Sequence, residues 1–599
     1  MPAYTLAFKP AVGLYGQHDP SAALFEDGEL VYAIEEERLT RQKHAVDTFP
    51  ERAIRSCLDY RDLDLSDLKK VILPYDPSLR SEILDHYLRD AVQADGIART
   101  VTALENTVKS QIRARLFPTD RVERLLAEIG EPVPPVETAS HHRCHAVSAF
   151  YPSDFEEALV LTVDAKGEYD ATVVWRGDSE GVERVRTYEH PNSLGLFYAV
   201  VTEFLGYRMF NGEGKVMGLA PYGERNPEIE STLREVIDTG VDYDVTALTR
   251  RWGTGHGVRR LEALFDRPRK ESPTEFSQWE RDLARTTQEL LEETVSDIAA
   301  QYTDRLDVDD LALAGGVALN CKMNKRLLES DSIDSLFVQP VAHDAGLAIG
   351  AGYLDQTPAE TQSMDSIYYG PEYGHEEIEE LLETNKIAYS EPADRERYVA
   401  ERLSEGALVG WFDGRLELGP RALGARSILA DPRSTESRDR VNRYVKHREE
   451  WRPFAPSMLE EAADEYLENA EPAPFMIKTF DVRPEKREEI PAVLHPSDGT
   501  TRPQTVREDQ HPAYYRLISA FEEITGGPVV LNTSFNDHAE PIVTTPAEAL
   551  KDFFGMGLDV LVLGDFVVEK SAVSLDQFEP TDQEGETERE SIGAVRSPR

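Results

Sequence analysis

The sequence predicts an α/β protein whose N-terminal half is duplicated, and three observations carry that prediction. Two strand–loop–strand units recur. The first is Tyr4–Phe8, a polar loop through Gly16-Gln-His-Asp19, and Ala22–Phe25; the second is Ala158–Asp164, the loop Ala165-Lys-Gly-Glu168, and Ala171–Trp175. Residues 280–302 carry the periodicity of a long amphipathic helix. The apolar run Leu311–Ala314 then ends at Gly315-Gly316 and Asn320. That reads as a buried strand, a glycine turn that lets backbone approach a ligand, and a helix N-terminus open to an anion.

The remaining elements follow in order. Asp27-Gly28 between Ala22–Phe25 and Leu30–Ile34 signals a hairpin, with a helix after it. The run Val338–Gly352 sets Asp344 at a helix N-cap. Residues 355–375 are polar and turn-rich, which marks a domain boundary, and a second α/β domain runs to about residue 575. The expected domains are 1–362 and 363–576, followed by a disordered acidic tail at 577–599 that lacks apolar periodicity.

Composition excludes several function classes. Lys and Arg number 65 against 111 Asp and Glu, a net charge of -46 spread along all 599 residues. Such a surface repels nucleic acid and anionic membranes, and it is tolerated best where salt screens the self-repulsion. A halophile's cytoplasm is the expected setting. The cysteines Cys57, Cys144 and Cys321 are far apart and signal neither a disulfide framework nor a thiolate zinc site. No apolar run is long enough to span a bilayer, and no secretory leader is evident. A cytoplasmic enzyme with small-molecule partners is expected, with homo-oligomerisation open.

Three constellations carry chemistry. His141 and His145 are four apart, so a helix would put both imidazoles on one face. A carboxylate would complete a set suited to Fe(II) or Mn(II), and Asp344 is the candidate; a hydrogen-bonded histidine cluster is the alternative. Asp19 and Asp164 lie near strand ends where a phosphate or metal could sit, although aspartate is also an ordinary turn former. Basic residues gather on turn-rich segments: Arg415, Arg421 and Arg426, then Lys446–Pro456, then Gly499–Thr505. Arginine forks and lysine charges there suit phosphate or carboxylate groups. The strand Val529–Asn536 ends in small hydrogen-bonding side chains beside them.

Seven segments in order then resemble the O-carbamoyltransferases that modify antibiotics and nodulation factors. They are His18-Asp-Pro-Ser-Ala22 with Glu35-Glu-Glu-Arg38, His141-His-Arg-Cys-His145, Lys215–Gly223, Gly315–Asn320, Gly419-Pro-Arg-Ala-Leu-Gly424, Arg452-Pro-Phe-Ala-Pro456 and Asn532-Thr-Ser-Phe-Asn536. The resemblance implies an N-terminal actin/Hsp70-like (ASKHA) domain similar to the tRNA threonylcarbamoyl transferases, and a C-terminal YrdC-like domain. It implies carbamoyl phosphate and ATP with Mg as substrates, a carbamoyl adenylate, and a hydroxyl-bearing small molecule or sugar as acceptor. His141, His145 and Asp344 match iron ligands. Lys446, Arg452, Arg502 and Ser534 match positions that bind carbamoyl phosphate or the adenylate, with Arg421 and Asn532 nearby. Asp19, Lys166, Gly167, Gly315, Gly316 and Asn320 fall on substrate and nucleotide loops, and His18 matches a position beside the acceptor. Asp164-Ala165 replaces the family's Asp-Gly, and Ala539-Glu540 replaces Gly-Glu. The alternative reading is an ATP-binding regulatory protein of the same fold without transferase activity.

Overall fold

The computed structural model describes residues 2–12, 18–76, 119–250, 255–449, 451–537 and 539–570. The acidic tail and residues 13–17 of the first polar loop lie outside the described residues. The chain folds as a mixed α/β protein with three large sheets among the described residues.

The first sheet contains β1 (Tyr4–Lys9), β2 (Ser21–Glu26), β3 (Glu29–Glu35), β4 (Leu68–Leu73) and β5 (Val136–Thr138), in the order β3-β2-β1-β4-β5. Strands β1, β2 and β3 are antiparallel neighbours, whereas β1, β4 and β5 run parallel. The second contains β6 (Ala158–Val163), β7 (Asp170–Asp178), β8 (Gly181–Glu189), β9 (Asp310–Ala314) and β10 (Ser335–Val338), in the order β8-β7-β6-β9-β10 with the same directions. The two sheets therefore repeat one strand plan. In each, a polar loop joins the first two strands of the plan, and both loops bear on the candidate site. Strand β6 is buried at all six positions, as a strand covered on both faces must be.

The long helix spans Gln278–Leu306, longer at both ends than its apolar periodicity indicates. A capping box between Ser277 and Glu280 starts it and a left-handed Asp307 stops it, so its bounds are set by caps. Asp344 is not a helix cap. His343 precedes a 3₁₀ turn at Asp344–Gly346, the helix Leu347–Tyr353 follows, and the Asp344 carboxylate is free for the site.

That helix packs against the helix His141–Phe150 with the two backbones in contact: a side chain at Gly350 would lie 1.9 Å from the Cys144 carbonyl oxygen. Gly350→Ala is therefore expected to destabilise by roughly 1–3 kcal/mol through overpacking, and to part Asp344 from the histidines. A urea midpoint equal to that of the unchanged protein would refute this.

The third sheet is built from β11 (Val409–Phe412), β12 (Arg426–Ala430) and β13 (Ala455–Leu459), with a separate pair, β14 (Phe480–Asp481) and β15 (Thr500–Thr501), intervening in the chain. It is completed by β16 (Gln504–Val506), β17 (Val529–Ser534), β18 (Val560–Leu563) and β19 (Phe566–Glu569), in the order β16-β13-β17-β12-β11-β18-β19. A buried clamp locks it to the N-terminal half. Arg38 holds Glu35 at 3.1 Å and donates to the Gly419 carbonyl at 2.6 Å, while Glu35 accepts the Gly419 N–H at 2.9 Å. Arg415 donates to the carbonyls of Val31 and Tyr369. Arg426 lies over the Phe412 ring and donates to the carbonyls of Asp413, Gly414 and Ala425. Two of the three arginines in the first basic island thus hold backbone in place. No described helix is long and apolar enough to cross a membrane.

Candidate active site

The helix His141–Phe150 turns His141 and His145 toward the carboxylates of Asp164, at the end of β6, and Asp344. One donor atom from each of the four lies within 4.8 Å of the others. His141 Nε2 is 3.0 Å from Asp164 Oδ2 and 3.7 Å from Asp344 Oδ1; His145 Nε2 is 3.5 and 4.0 Å from the same atoms. The other oxygens are held from behind. Asp164 Oδ1 accepts the Ala165 N–H at 2.7 Å, and Asp344 Oδ2 pairs with the ammonium of Lys9 at 3.0 Å. His145 is fully buried, and neither of its ring nitrogens makes a hydrogen bond. An orphaned buried imidazole facing two carboxylates fits a metal ligand, and two nitrogens with two oxygens suit a first-row divalent ion. Burial opposes charge on His141, but the Asp164 hydrogen bond and the Asp344 charge raise its pKa to about 9. His142 plays a different part: its Nδ1 meets Thr162 Oγ1 at 2.8 Å and its Nε2 the Asp170 carbonyl at 3.2 Å, which ties the helix to the sheet.

The first polar loop brings His18 beside this cluster, and the Lys9 ammonium that pairs with Asp344 also donates to the His18 carbonyl. Asp19 serves the imidazoles. Its Oδ2 takes His18 Nδ1 at 2.7 Å and its Oδ1 takes His44 Nδ1 at 2.8 Å. Because a carboxylate only accepts, each histidine donates from Nδ1, which leaves His18 Nε2 as the basic nitrogen. Burial works against charge on His18, yet the Asp19 hydrogen bond and the nearby carboxylates raise its pKa above the ordinary value. Asp19 and His44 have φ of 55° and 64°, left-handed backbone that is held here by this network.

The second cluster is cationic. Lys446 ends a π-helical turn, Asn442–Lys446, and donates to the Ser534 carbonyl at 2.6 Å, Ser534 Oγ at 3.2 Å and Asn536 Oδ1 at 2.8 Å. Burial first, then Arg448, Lys43 and Arg452, hold its pKa well below the usual lysine range. Burial and the charges of Arg452 and Arg502 depress Arg448, burial and Arg502 push Arg421 down to about 9, and burial lowers Arg452 and Arg502. Lys43 and Lys215 come from the N-terminal half, and each is lowered by burial and by Arg452. Seven cations from both halves of the chain thus repel one another. Among the described residues only Glu449, 3.9 Å from Arg452, puts a carboxylate within ion-pair distance of the arginines and Lys446. Like charges gathered without counter-charges cost stability unless an anion joins them.

A pH dependence follows from the direction of the Lys446 shift. As pH rises through its depressed pKa, Lys446 loses its proton in the free protein, and a bound dianion draws the proton back. Sulfate, a dianion throughout, is expected to bind more weakly as pH rises through the depressed Lys446 pKa and to take up protons on binding. Calorimetry in two buffers of different ionisation enthalpy reads this, and a pH-independent affinity would count against it.

The glycines act by close approach. A side chain at Gly167 would meet His142 Cδ2 at 2.8 Å, one at Gly315 (φ 91°) would meet the Val163 carbonyl oxygen at 2.3 Å, and one at Gly316 would stand 3.1 Å from Asp164 Oδ1. Lys166 is half-buried on the same loop. Ala165 has no positive φ, so alanine is accommodated there without strain. Ala539 has φ 66°, the conformation a glycine would supply freely. Asn320 caps the helix Cys321–Leu328 and exchanges amide hydrogen bonds with Gln288. Asn532 is 1% exposed and donates to Ala422, Ser457 and Gln504 within the sheet, so it supports the cation site from behind. Sequence reasoning placed Asp164 at a strand end where a metal could sit but did not join it to the histidines, counted Arg448 only within the Lys446–Pro456 run, and overlooked Lys9, Lys43 and His44. Lys215 opens a segment used only for the resemblance.

Comparison with known proteins gives this geometry its class. The model described as Carbamoyltransferase N-terminus matches residues 11–353 and that described as Carbamoyltransferase C-terminus matches residues 400–570. The chain belongs to the carbamoyltransferase family, enzymes that transfer carbamoyl groups. It is 38% identical to nodulation protein NolNO of Sinorhizobium fredii, over 94% of this chain and 80% of that one. It is 36% identical to an uncharacterized protein of Synechocystis, over 93% and 95%, and 27% identical to the 3'-hydroxymethylcephem-O-carbamoyltransferase of Amycolatopsis lactamdurans, over 72% and 79%.

Proposed function

We propose that this carbamoyltransferase uses ATP and carbamoyl phosphate, forms a carbamoyl adenylate, and passes the carbamoyl group to a hydroxyl of a small-molecule or sugar acceptor. The observation that carries this reading is the set of seven mutually repelling cations, Lys43, Lys215, Arg421, Lys446, Arg448, Arg452 and Arg502, drawn from both halves of the chain. A regulatory protein that only bound nucleotide would not need so many cations in one place. Water cleaves carbamoyl phosphate to phosphate and carbamate, a carbamate oxygen attacks the α-phosphorus of ATP and displaces pyrophosphate, and the gathered cations stabilise the charge that develops on both leaving groups. Ser534 Oγ accepts from Lys446 and donates to Asn536 Oδ1, so it fixes the ammonium and the amide side chain beside the anion site.

In the transfer step His18 Nε2 takes the proton of the acceptor hydroxyl, with Asp19 fixing the imidazole and steadying its charge. His141, His145, Asp164 and Asp344 would hold Fe(II) or a similar ion. Such an ion supplies Lewis acidity beside the acceptor base. Lys43 and His44 are adjacent, one beside Arg452 and the other on Asp19, so one turn links the donor and acceptor sites. The repeated strand plan of the first two sheets supports an ASKHA-type nucleotide domain, and the third sheet with its basic rim supports a YrdC-like partner. The net charge of -46 supports a high-salt cytoplasm without nucleic-acid partners.

The test is an acceptor-free assay in concentrated KCl with Mg, ATP and carbamoyl phosphate. AMP and pyrophosphate that appear only with carbamoyl phosphate are expected. Production of ADP alone would sink the adenylate.

A further inference from the structure

Four large hydrophobic side chains are exposed among the described residues: Val46, Phe210, Tyr444 and Phe554. Of these, Phe210 has a ring contact with the candidate base: its centroid lies 5.7 Å from that of His18, with the planes 32° apart. It is 39% exposed and has a φ of 59°, a backbone state that aromatic residues rarely take and that persists only where the surroundings impose it. Here they do. Glu213 accepts the Phe210 N–H at 2.7 Å, and the N–H groups of Asn211 and Gly212 bear on the same carboxylate. Gly212 packs where a side chain would stand 2.5 Å from Tyr207 Cβ and 2.8 Å from Thr202 Cγ2. The next residue, Asn211, is exposed and donates to His44 Nε2 at 3.3 Å, which joins this loop to the Asp19 network. A strained, pinned loop therefore presents an apolar ring to solvent beside His18, rimmed by the Asn211 amide.

We propose that Phe210 is the acceptor platform and that the acceptor is a saccharide. The ring stacks on the C–H face of a pyranose, and one of the sugar's hydroxyls meets His18 Nε2. A pyranose fits both halves of this surface, because its faces are apolar and its edges carry hydroxyls for Asn211 and His18. A flat aromatic alcohol carries a single hydroxyl, so it would meet His18 or Asn211 but not both. The inference rests on His18 as the base of the carbamoyl-transfer reading, and its test does not require turnover.

Saturation-transfer NMR on the full chain is run with a panel of methyl pyranosides (gluco, galacto, manno and N-acetylgluco), with benzyl alcohol and butanediol alongside. The C–H protons of at least one pyranoside are expected to receive saturation. That signal should fall about three- to tenfold in Phe210→Ala and persist in Phe210→Trp, the span expected for one lost aromatic contact. No pyranoside signal, a signal that Phe210→Ala leaves intact, or a stronger response from benzyl alcohol would overturn the proposal. Carbamoyl-phosphate-dependent AMP formation by the unchanged protein is measured in parallel. AMP without sugar binding defeats the saccharide platform and spares the adenylate. Sugar binding without AMP does the reverse.

Discussion

Arg502→Ala and Lys446→Ala are each expected to lower carbamoyl-phosphate-dependent AMP formation by about 10²–10³-fold, the loss typical of removing one preorganised group that stabilises developing charge. The effect should be this large for two reasons. Lys446 is buried and Arg502 half-buried, so solvent replaces neither fully, and both carry pKa values depressed mainly by desolvation, so their charge is free to be neutralised by substrate rather than by the protein. Lys446 also positions Ser534 and Asn536 through its hydrogen bonds, so its removal loosens the end of β17 as well. Arg443, exposed on the same turn as Lys446, is the control, and Arg443→Ala should leave AMP formation within about twofold, as surface substitutions away from such features do. AMP formation that survives Arg502→Ala and Lys446→Ala but falls in Arg443→Ala would mislocate the donor site.

His145→Ala is expected to abolish retention of a divalent ion, read as metal content after anaerobic loading with Fe(II) and gel filtration. Outer partners of metal ligands cost about 10–100-fold in affinity when removed, and loss of one of four direct donors costs more. The choice of His145 is deliberate. Its only ion-pair partners among the described residues are the other ligands Asp164 and Asp344, at 3.5 and 4.0 Å, so the substitution breaks no hydrogen bond between the helix and the sheet. His142, by contrast, is bonded to Thr162 and Asp170, and its loss would confuse a folding defect with a binding defect. Equal metal content in His145→Ala and the unchanged protein would remove the ion from this site.

Much of this was legible because the signals are local. The pair His141 and His145, the repeated strand–loop–strand units, the glycine turn at Gly315-Gly316 and the Lys446 segment are each contained in one short stretch of chain. What was not legible depends on contacts between distant segments. Asp164 looks like any turn aspartate until the fold sets it against a helix that begins at His141. Arg415 and Arg426 resemble ligand-binding arginines in a glycine-rich run, and only the packed halves reveal that carbonyls of Val31, Tyr369 and Asp413 occupy them. Lys43 and Lys215 carry no motif of their own, and they join the cation cluster only because two halves of the chain meet. Phe210 gave no signal because its significance is a backbone angle.

The most direct test of the central claim is exchange of labelled pyrophosphate into ATP by the purified protein in concentrated KCl, with and without carbamoyl phosphate. An enzyme that forms an enzyme-bound carbamoyl adenylate reversibly puts label into ATP only when carbamoyl phosphate is present, and the exchange should vanish in Arg502→Ala. Label that never enters ATP while ADP and phosphate accumulate would contradict the account.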